Sequence, residues 1–233
     1  MSDPDTADAA ANTDYTGHVE PGGEPATRTL PNLTITKLSV GPMDNNAYLL
    51  VCRKTGDALL IDAANDIQRI ADLLEFGPGR PRLRTIVTTH RHYDHWQALG
   101  AIAGQTGANL VAHKDDAAEL PVPTDIYPDQ GFEYAVGEAP IEFLHLRGHT
   151  PGSLAVLYRD PEGSPHLFTG DSLFPGGPGK TGSPSDFTTL MDDLEAKVFG
   201  TLSDDTWFYP GHGNDSTLGA QRPALGEWRK RGW

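Results

Sequence analysis

The chain has 233 residues, 37% of them hydrophobic, and a formal charge of −14 at pH 7. That length can bury a sizeable core as one domain, and the charge excludes the basic footprint that a phosphate backbone needs, so nucleic acid is not an expected partner. No run of roughly 18 apolar residues occurs, and the first thirty positions hold neither a basic start nor an apolar stretch, so no membrane association or export is expected.

Residues 1 to 28 carry six acidic side chains against Arg28 and few large apolar residues. Such a segment cannot bury enough surface to offset its ordering entropy, so it is expected to be a flexible acidic tail, with His18 exposed in it and the domain running over 29–233. Leu33 to Val40 alternates apolar with Thr and Lys, and Tyr48 to Cys52 is an apolar run after Asp44-Asn45-Asn46. Both read as strands around a turn. Cys52 is the only cysteine, so it forms no internal disulfide. Its apolar setting marks a buried structural thiol, and a reducing, cytoplasmic setting is expected.

Ala58 to Asp62 predicts a third strand, and Asn65 is expected to cap a helix carrying Ile67, Ile70, Leu73 and Leu74 that ends near Gly77. The β-branched run Thr85 to Thr89 predicts a buried strand that delivers His90, and a helix is expected from Trp96 to Gln105. Further strands are expected at Asn109–Ala112, Ile141–Leu146, Leu154–Tyr158, Leu167–Thr169 and Trp207–Tyr209, and a helix over Phe187–Phe199. Strand clusters interrupted by helices suggest two sheets with helices outside.

The most telling segment is His90-Arg91-His92-Tyr93-Asp94-His95, which places four metal-capable side chains in six residues. Residues two apart in an extended loop project to the same side, so His90 and His92 can clamp one ion while Asp94 and His95 face a neighbouring position. Three later segments each add a potential ligand: His149 in Gly148-His149-Thr150-Pro151-Gly152-Ser153, Asp171 in Thr169-Gly170-Asp171-Ser172, and His212 in Tyr209-Pro210-Gly211-His212-Gly213. His113, His145 and His166 stand outside these motifs and read as structural. Asp62 and Thr88 or Thr89 are plausible partners for orienting the imidazoles, and the glycines at 148, 152, 211 and 213 are expected to permit the tight turns that place the ligands.

In this order the four segments resemble the metallo-β-lactamase-fold superfamily. The Thr-Gly-Asp and Pro-Gly-His-Gly forms look most like its glyoxalase II (hydroxyacylglutathione hydrolase-like) branch, from about Leu33 to about Pro223. The resemblance implies an α+β, four-layered αββα sandwich of two mostly antiparallel sheets flanked by helices. It implies one metal held by His90, His92 and His149, a second by Asp94, His95 and His212, and Asp171 bridging them. Two divalent ions roughly 3.5 Å apart lower the pKa of a shared water enough to supply hydroxide near neutral pH, which Asp94 is expected to orient. Donors of this kind suit Zn²⁺ first, with Fe²⁺ or Mn²⁺ also accepted.

The expected substrate is a small-molecule acyl thioester, whose thiolate leaves with little or no proton donation. Lys180, in a glycine-rich loop where such relatives often carry Arg, is expected to attract a substrate carboxylate, and Tyr93 is a second candidate contact. Full glyoxalase II enzymes append a helical region that grips glutathione, whereas this chain stops soon after Pro223, so the carrier thiol is left open. Trp96 stands where many relatives have a small residue and is expected to reshape the pocket. A lactonase using the same two ions, a mononuclear-iron persulfide dioxygenase using His90, His149 and Asp171, and a non-enzymatic metal-bound module are the alternatives. β-Lactamase and tRNA-processing activities are disfavoured by Asp171 and by the acidic charge, respectively.

Overall fold

The computed structural model describes residues 15–232. Two six-stranded sheets face each other. The first runs in chain order through β1 (Ala26–Thr29), β2 (Leu33–Val40), β3 (Asn45–Cys52), β4 (Asp57–Ile61), β5 (Arg82–Val87) and β6 (Asn109–Val111). Its first four strands pair antiparallel and its last three parallel. The second contains β7 (Phe132–Val136), β8 (Ala139–His145), β9 (Leu154–Tyr158) and β10 (His166–Gly170), with the small pair β11 (Leu173–Phe174) and β12 (Gly177–Pro178) outside it. β13 (Trp207–Pro210) joins β10 in parallel and carries β14 (Ser216–Thr217) at its outer edge.

Strand periodicity accounts for the layering. In β3, Tyr48, Leu50 and Cys52 point between the sheets, while Ala47, Leu49 and Val51 point outward under helices. On the facing sheet, Phe143, Val156, Phe168 and Tyr209 meet the inter-sheet core, and Leu144, Leu157, Leu167 and Phe208 face the other way. Both faces of the central strands are therefore buried, which is why they read as unbroken apolar runs. Helices α1 (Ile67–Phe76) and α2 (Leu99–Thr106) cover the first sheet, followed in the chain by the single turn α3 (Lys114–Ala117). On the second sheet lie α4 (Pro184–Asp193), which continues as a π-helical stretch to Phe199, the short α5 (Leu218–Gln221), and α6 (Leu225–Arg231). The result is the expected αββα sandwich.

Several local expectations are corrected. Residues 15–28, assigned from composition to a flexible tail, pack on the domain instead: Tyr15 and Val19 are buried, β1 pairs with β2, and Tyr15 donates to Asp215 at 2.6 Å. Residues 1–14 lie outside the described residues. His18 is exposed as expected, with its ring against Asn214 and Glu20. Asp66, with a left-handed φ of 50°, is the residue before α1, and Asn65 uses its side chain on Asp66 N and Gln97 instead. The helix expected from Trp96 starts at Leu99, because Gln97 N and Ala98 N donate to the carbonyls of Ala64 and Ala63. α4 begins before Phe187, at Pro184, with Ser183 as its N-cap accepting from Asp186 N. Edge strand β7 alternates Phe132, Tyr134 and Val136 with Glu133 and Ala135, but it is short and mostly uncovered, and it escaped the sequence reading.

One rim gathers the functional loops. The carboxyl ends of β4, β5, β8, β10 and β13 all open there, next to the first residue of β3, and the sheets are stitched by Leu154 N donating to Thr89 O and Asn46 N to Gly211 O. This is where open sheets of this kind place ligands.

Candidate metal centre

Each of the seven motif residues reaches this rim from a strand end. His90 follows β5, His92 to His95 form the turn after it, His149 lies in the loop after β8, Asp171 follows β10, and His212 follows β13. His90 Nε2, His92 Nδ1 and His149 Nε2 stand 2.9 to 3.3 Å from one another. A second group forms where His212 Nε2 and His95 Nε2 lie 3.3 and 3.6 Å from Asp94 Oδ2. Asp171 sits between the two groups. Its Oδ1 is 3.4 Å from His95 Nε2, and its Oδ2 is 3.7 Å from His149 Nε2 and 3.6 Å from His212 Nε2.

The outer edges of the rings fix which nitrogen faces inward. His95 Nδ1 donates to Asp62 Oδ2 at 2.8 Å, His149 Nδ1 to the carbonyl of Lys180 at 2.7 Å, and His212 Nδ1 to the carbonyl of Met43 at 3.0 Å. Thr89 Oγ1 spends its own proton on Asp62 Oδ2, so at 3.0 Å it accepts from His90 Nδ1. With those outer protons committed, a neutral ring turns a lone pair inward, toward other lone pairs and carboxylates. His95 Nε2 and Asp171 Oδ1 are buried and have no hydrogen-bond partner among the described residues. Buried acceptors facing one another are costly unless a cation lies among them, and an imidazole and carboxylate donor set fits a divalent transition metal.

Electrostatics agree with that arrangement. Burial and the neighbouring histidines hold His90 well below the usual histidine range, and burial also lowers His149 and His92. Burial opposes charge on His95 as well, but Asp62 and Asp171 outweigh it and take its pKa up to about 10. Burial would raise Asp171, yet His95 and the other rings keep it lowered. Positive charge at the inner face of His95 is thus strongly favoured, and a bound cation answers the same demand as a proton.

Backbone detail explains the precision. Gly211 is needed for close approach and not for an unusual φ: a Cβ there would sit 2.1 Å from Asp171 Oδ1 and 2.7 Å from His95 Cε1. Gly152 is likewise pressed against Asp116, whereas Gly148 and Gly213 do have the positive φ expected of turn glycines. Asp62 adopts a left-handed φ of 57° and accepts from Thr89 N at 2.8 Å as well as from Thr89 Oγ1 and His95. Of the two threonines before the motif, Thr89 is the one engaged, since Thr88 N pairs with the carbonyl of Val111.

Two contributors were not read from the sequence. Asn45, taken as part of a turn, is the buried first residue of β3, and its Nδ2 donates to Asp94 Oδ2 at 3.0 Å. Asp116 accepts from Arg91 N and Gly152 N at 3.0 and 2.9 Å, tying the His90 and His149 loops together. Neither has a local sequence signal, because each acts across the fold. Tyr93 is exposed at the mouth with its hydroxyl against Met43 Sδ at 3.5 Å. Lys180 contributes its carbonyl to His149, and the residue itself is exposed. Trp96 is half-buried against the cluster under α1 and α2, and its Nε1 donates to Arg91 O at 2.8 Å. A pocket of about 390 Å³ beside His149 is lined by Arg91, Arg147 and Asp186 among others.

The comparisons with known proteins identify the family. The family model of the metallo-beta-lactamase superfamily matches residues 40–212. A hydroxyacylglutathione hydrolase of a Polaromonas species is 32% identical over 169 residues, which are 72% of this chain and 62% of the relative, so the chain spans under two thirds of that protein's length. Among solved structures, ETHE1 from Myxococcus xanthus is 27% identical with a TM-score of 0.69, covering 84% of both chains. TTHA1623 in a di-iron-bound form is 27% identical with a TM-score of 0.67, covering 80% of this chain and 96% of that one. Fold and family match agree, and the chain belongs to the metallo-beta-lactamase superfamily.

Proposed function

We propose that the chain is a binuclear metal-dependent hydrolase that cleaves an acyl thioester of a small thiol. The observation that carries this reading is Asp171 standing between two donor groups, His90, His92 and His149 on one side and Asp94, His95 and His212 on the other. The hydroxyacylglutathione hydrolase likeness supports the thioester, and the di-iron form of TTHA1623 supports two ions. Zn²⁺ is the first expectation for the metal, with Fe²⁺ or Mn²⁺ accepted by the same donors.

His90, His92 and His149 would hold one ion, Asp94, His95 and His212 the other, and Asp171 both. Bound there, the ions supply Lewis acidity, activating a water and polarising the substrate carbonyl. The rest falls to the chain's own groups. Asn45 Nδ2 donates to Asp94 Oδ2 and holds in place the carboxylate that would orient the attacking water. Exposed Met43 and Tyr93 give the mouth an apolar wall for an acyl chain, and the Phe174 ring, 6.5 Å from the His212 ring, continues it. Lys180 is the proposed cation for a substrate carboxylate. No acid is needed at the leaving group, because a thiol of ordinary pKa departs readily as thiolate.

The test is a panel of acyl thioesters, homoserine lactones and persulfides offered to purified, metal-loaded protein. Thioester cleavage with thiol release, abolished by His92→Ala, is expected. Lactone opening alone, or oxygen uptake with a persulfide at one iron per chain, would overturn the reading in favour of a lactonase or a dioxygenase.

A further inference from the structure

A second group of donors lies apart from the rim centre. His113 follows β6, Asp129 precedes β7, and His145 is the last residue of β8. His113 Nε2 and His145 Nδ1 approach the same oxygen, Asp129 Oδ1, at 3.8 and 3.6 Å. Both rings are buried, at 1% and 8% exposure. His145 Nε2 donates to the carbonyl of Pro151 at 2.8 Å, so in the neutral ring Nδ1 turns a lone pair toward the carboxylate. His113 Nε2 is buried and has no hydrogen-bond partner among the described residues. An aspartate oxygen at the surface thus faces two buried ring nitrogens with no hydrogen bond among them, an arrangement that a cation in the gap would satisfy.

We propose that His113, Asp129 and His145 form a further binding site for a divalent transition-metal ion, separate from the centre at the rim. Imidazole nitrogens select Zn²⁺, Cu²⁺ or Ni²⁺ over Ca²⁺ and Mg²⁺, which want oxygen cages. Donors about 2.1 Å from a tetrahedral ion stand roughly 3.4 Å apart; the separations of 3.6 and 3.8 Å here are a few tenths wider. Lys114 Nζ holds the outer oxygen, Asp129 Oδ2, at 3.5 Å, and Gln130 N donates to Oδ1 at 2.8 Å, fixing the carboxylate while a second lone pair of Oδ1 faces the rings. His113 Nδ1 now accepts from Asp115 N at 3.2 Å, with Asp115 Oδ2 at 3.5 Å. Coordination through Nε2 moves the ring proton to Nδ1, where that carboxylate receives it, the usual partner of a metal-bound imidazole.

The rings stack with centroids 3.8 Å apart and planes 27° from parallel, so they splay when one ion meets both lone pairs. His145 lies four residues before His149 and is bonded to Pro151 two residues after it. Occupancy therefore anchors both flanks of a residue in the rim centre.

Zinc binding by the full chain tests the proposal. Equilibrium dialysis against buffered free zinc followed by elemental analysis is expected to give one equivalent fewer for Asp129→Asn than for the parent protein. Asp129 is largely exposed, so that variant keeps its fold, and His145→Gln is expected to lose the same equivalent. In His90→Ala/His92→Ala, which damages the rim centre, the Asp129-dependent equivalent is expected to persist, so failure of the hydrolase reading leaves this result readable. Equal stoichiometry in the parent and Asp129→Asn across micromolar free zinc would overturn the proposal and leave the pair as a stacked structural contact.

Discussion

Asp62 Oδ2 lies 2.8 Å from His95 Nδ1, and the same carboxylate oxygen accepts the hydroxyl proton of Thr89, which in turn receives His90 Nδ1. One buried carboxylate therefore sets the tautomer of one ring in each donor group. Asp62→Asn is the sharper variant: an amide nitrogen facing His95 makes Nδ1 the acceptor and puts the ring proton on Nε2, pointing into the centre. We expect metal affinity to fall on the order of 10- to 100-fold, the usual effect of losing such a partner. A chelator competition titration reads it directly, and unchanged affinity in Asp62→Asn would refute the tautomer argument.

Gly211→Ala tests packing at the same place without changing any charge. The added Cβ would meet Asp171 Oδ1 at 2.1 Å, backed by His95 Cε1 at 2.7 Å, so Asp171 must turn away from the gap between the two groups. Reduced metal content with a near-parental far-ultraviolet circular dichroism spectrum is the expected result. Gly104→Ala supplies the contrast, because it lies on the solvent side of α2, where an added Cβ meets nothing within 4 Å. There alanine is expected to stabilise by about 0.5–1 kcal/mol in urea unfolding, with metal content untouched.

The sequence made the rim legible to the extent that a ligand is announced by its neighbours. His90 to His95 and the Gly-His and Gly-Asp turns follow β-branched or aromatic runs, so strand ends and donors could be read together. Asn45 and Asp116 could not be read that way, since each touches the site only after the chain has folded across itself. The segment around Tyr15 misled for a related reason. Its composition is that of a free chain, yet Lys37, buried in the middle of β2, takes the carbonyl of Gly17 at 2.9 Å along with Gly213 O and Asp215 Oδ1, and this draws the segment onto the sheet. A lysine inside an alternating strand carries no mark of such partners.

That lysine makes a third prediction. Lys37 Nζ and Asp215 Oδ1 are 2.8 Å apart with both side chains fully buried, and Tyr15 and Tyr48 also donate to Asp215. Burial lowers Lys37 and raises Asp215, so each charge persists chiefly because the other is there. Lys37→Met removes one partner and strands the other, which is expected to cost about 3–5 kcal/mol in chemical denaturation. Adding Asp215→Asn should recover part of that loss; no recovery in the double variant would show that the carbonyl contacts to Gly17 and Gly213, not the ion pair, dominate.

His166 gives a pH dependence that involves no metal ligand. Arg28 donates to Tyr209 Oη at 3.0 Å, and the Tyr209 hydroxyl, 2.8 Å from His166 Nδ1, donates onward to the ring. Burial, reinforced by the Arg28 charge, lowers the His166 pKa to about 3 from an ordinary 6.5. Between those values the unfolded chain carries a proton that the folded chain does not, so stability rises with pH across the window and falls on acidification. The difference amounts to about 2 kcal/mol lost at pH 5 relative to pH 7.5. His166→Gln keeps an acceptor for Tyr209 and cannot titrate. Urea unfolding of metal-loaded protein at the two pH values should therefore show a smaller acid penalty in the variant by about that amount, and an identical penalty in both proteins would mean that His166 is already protonated in the folded state.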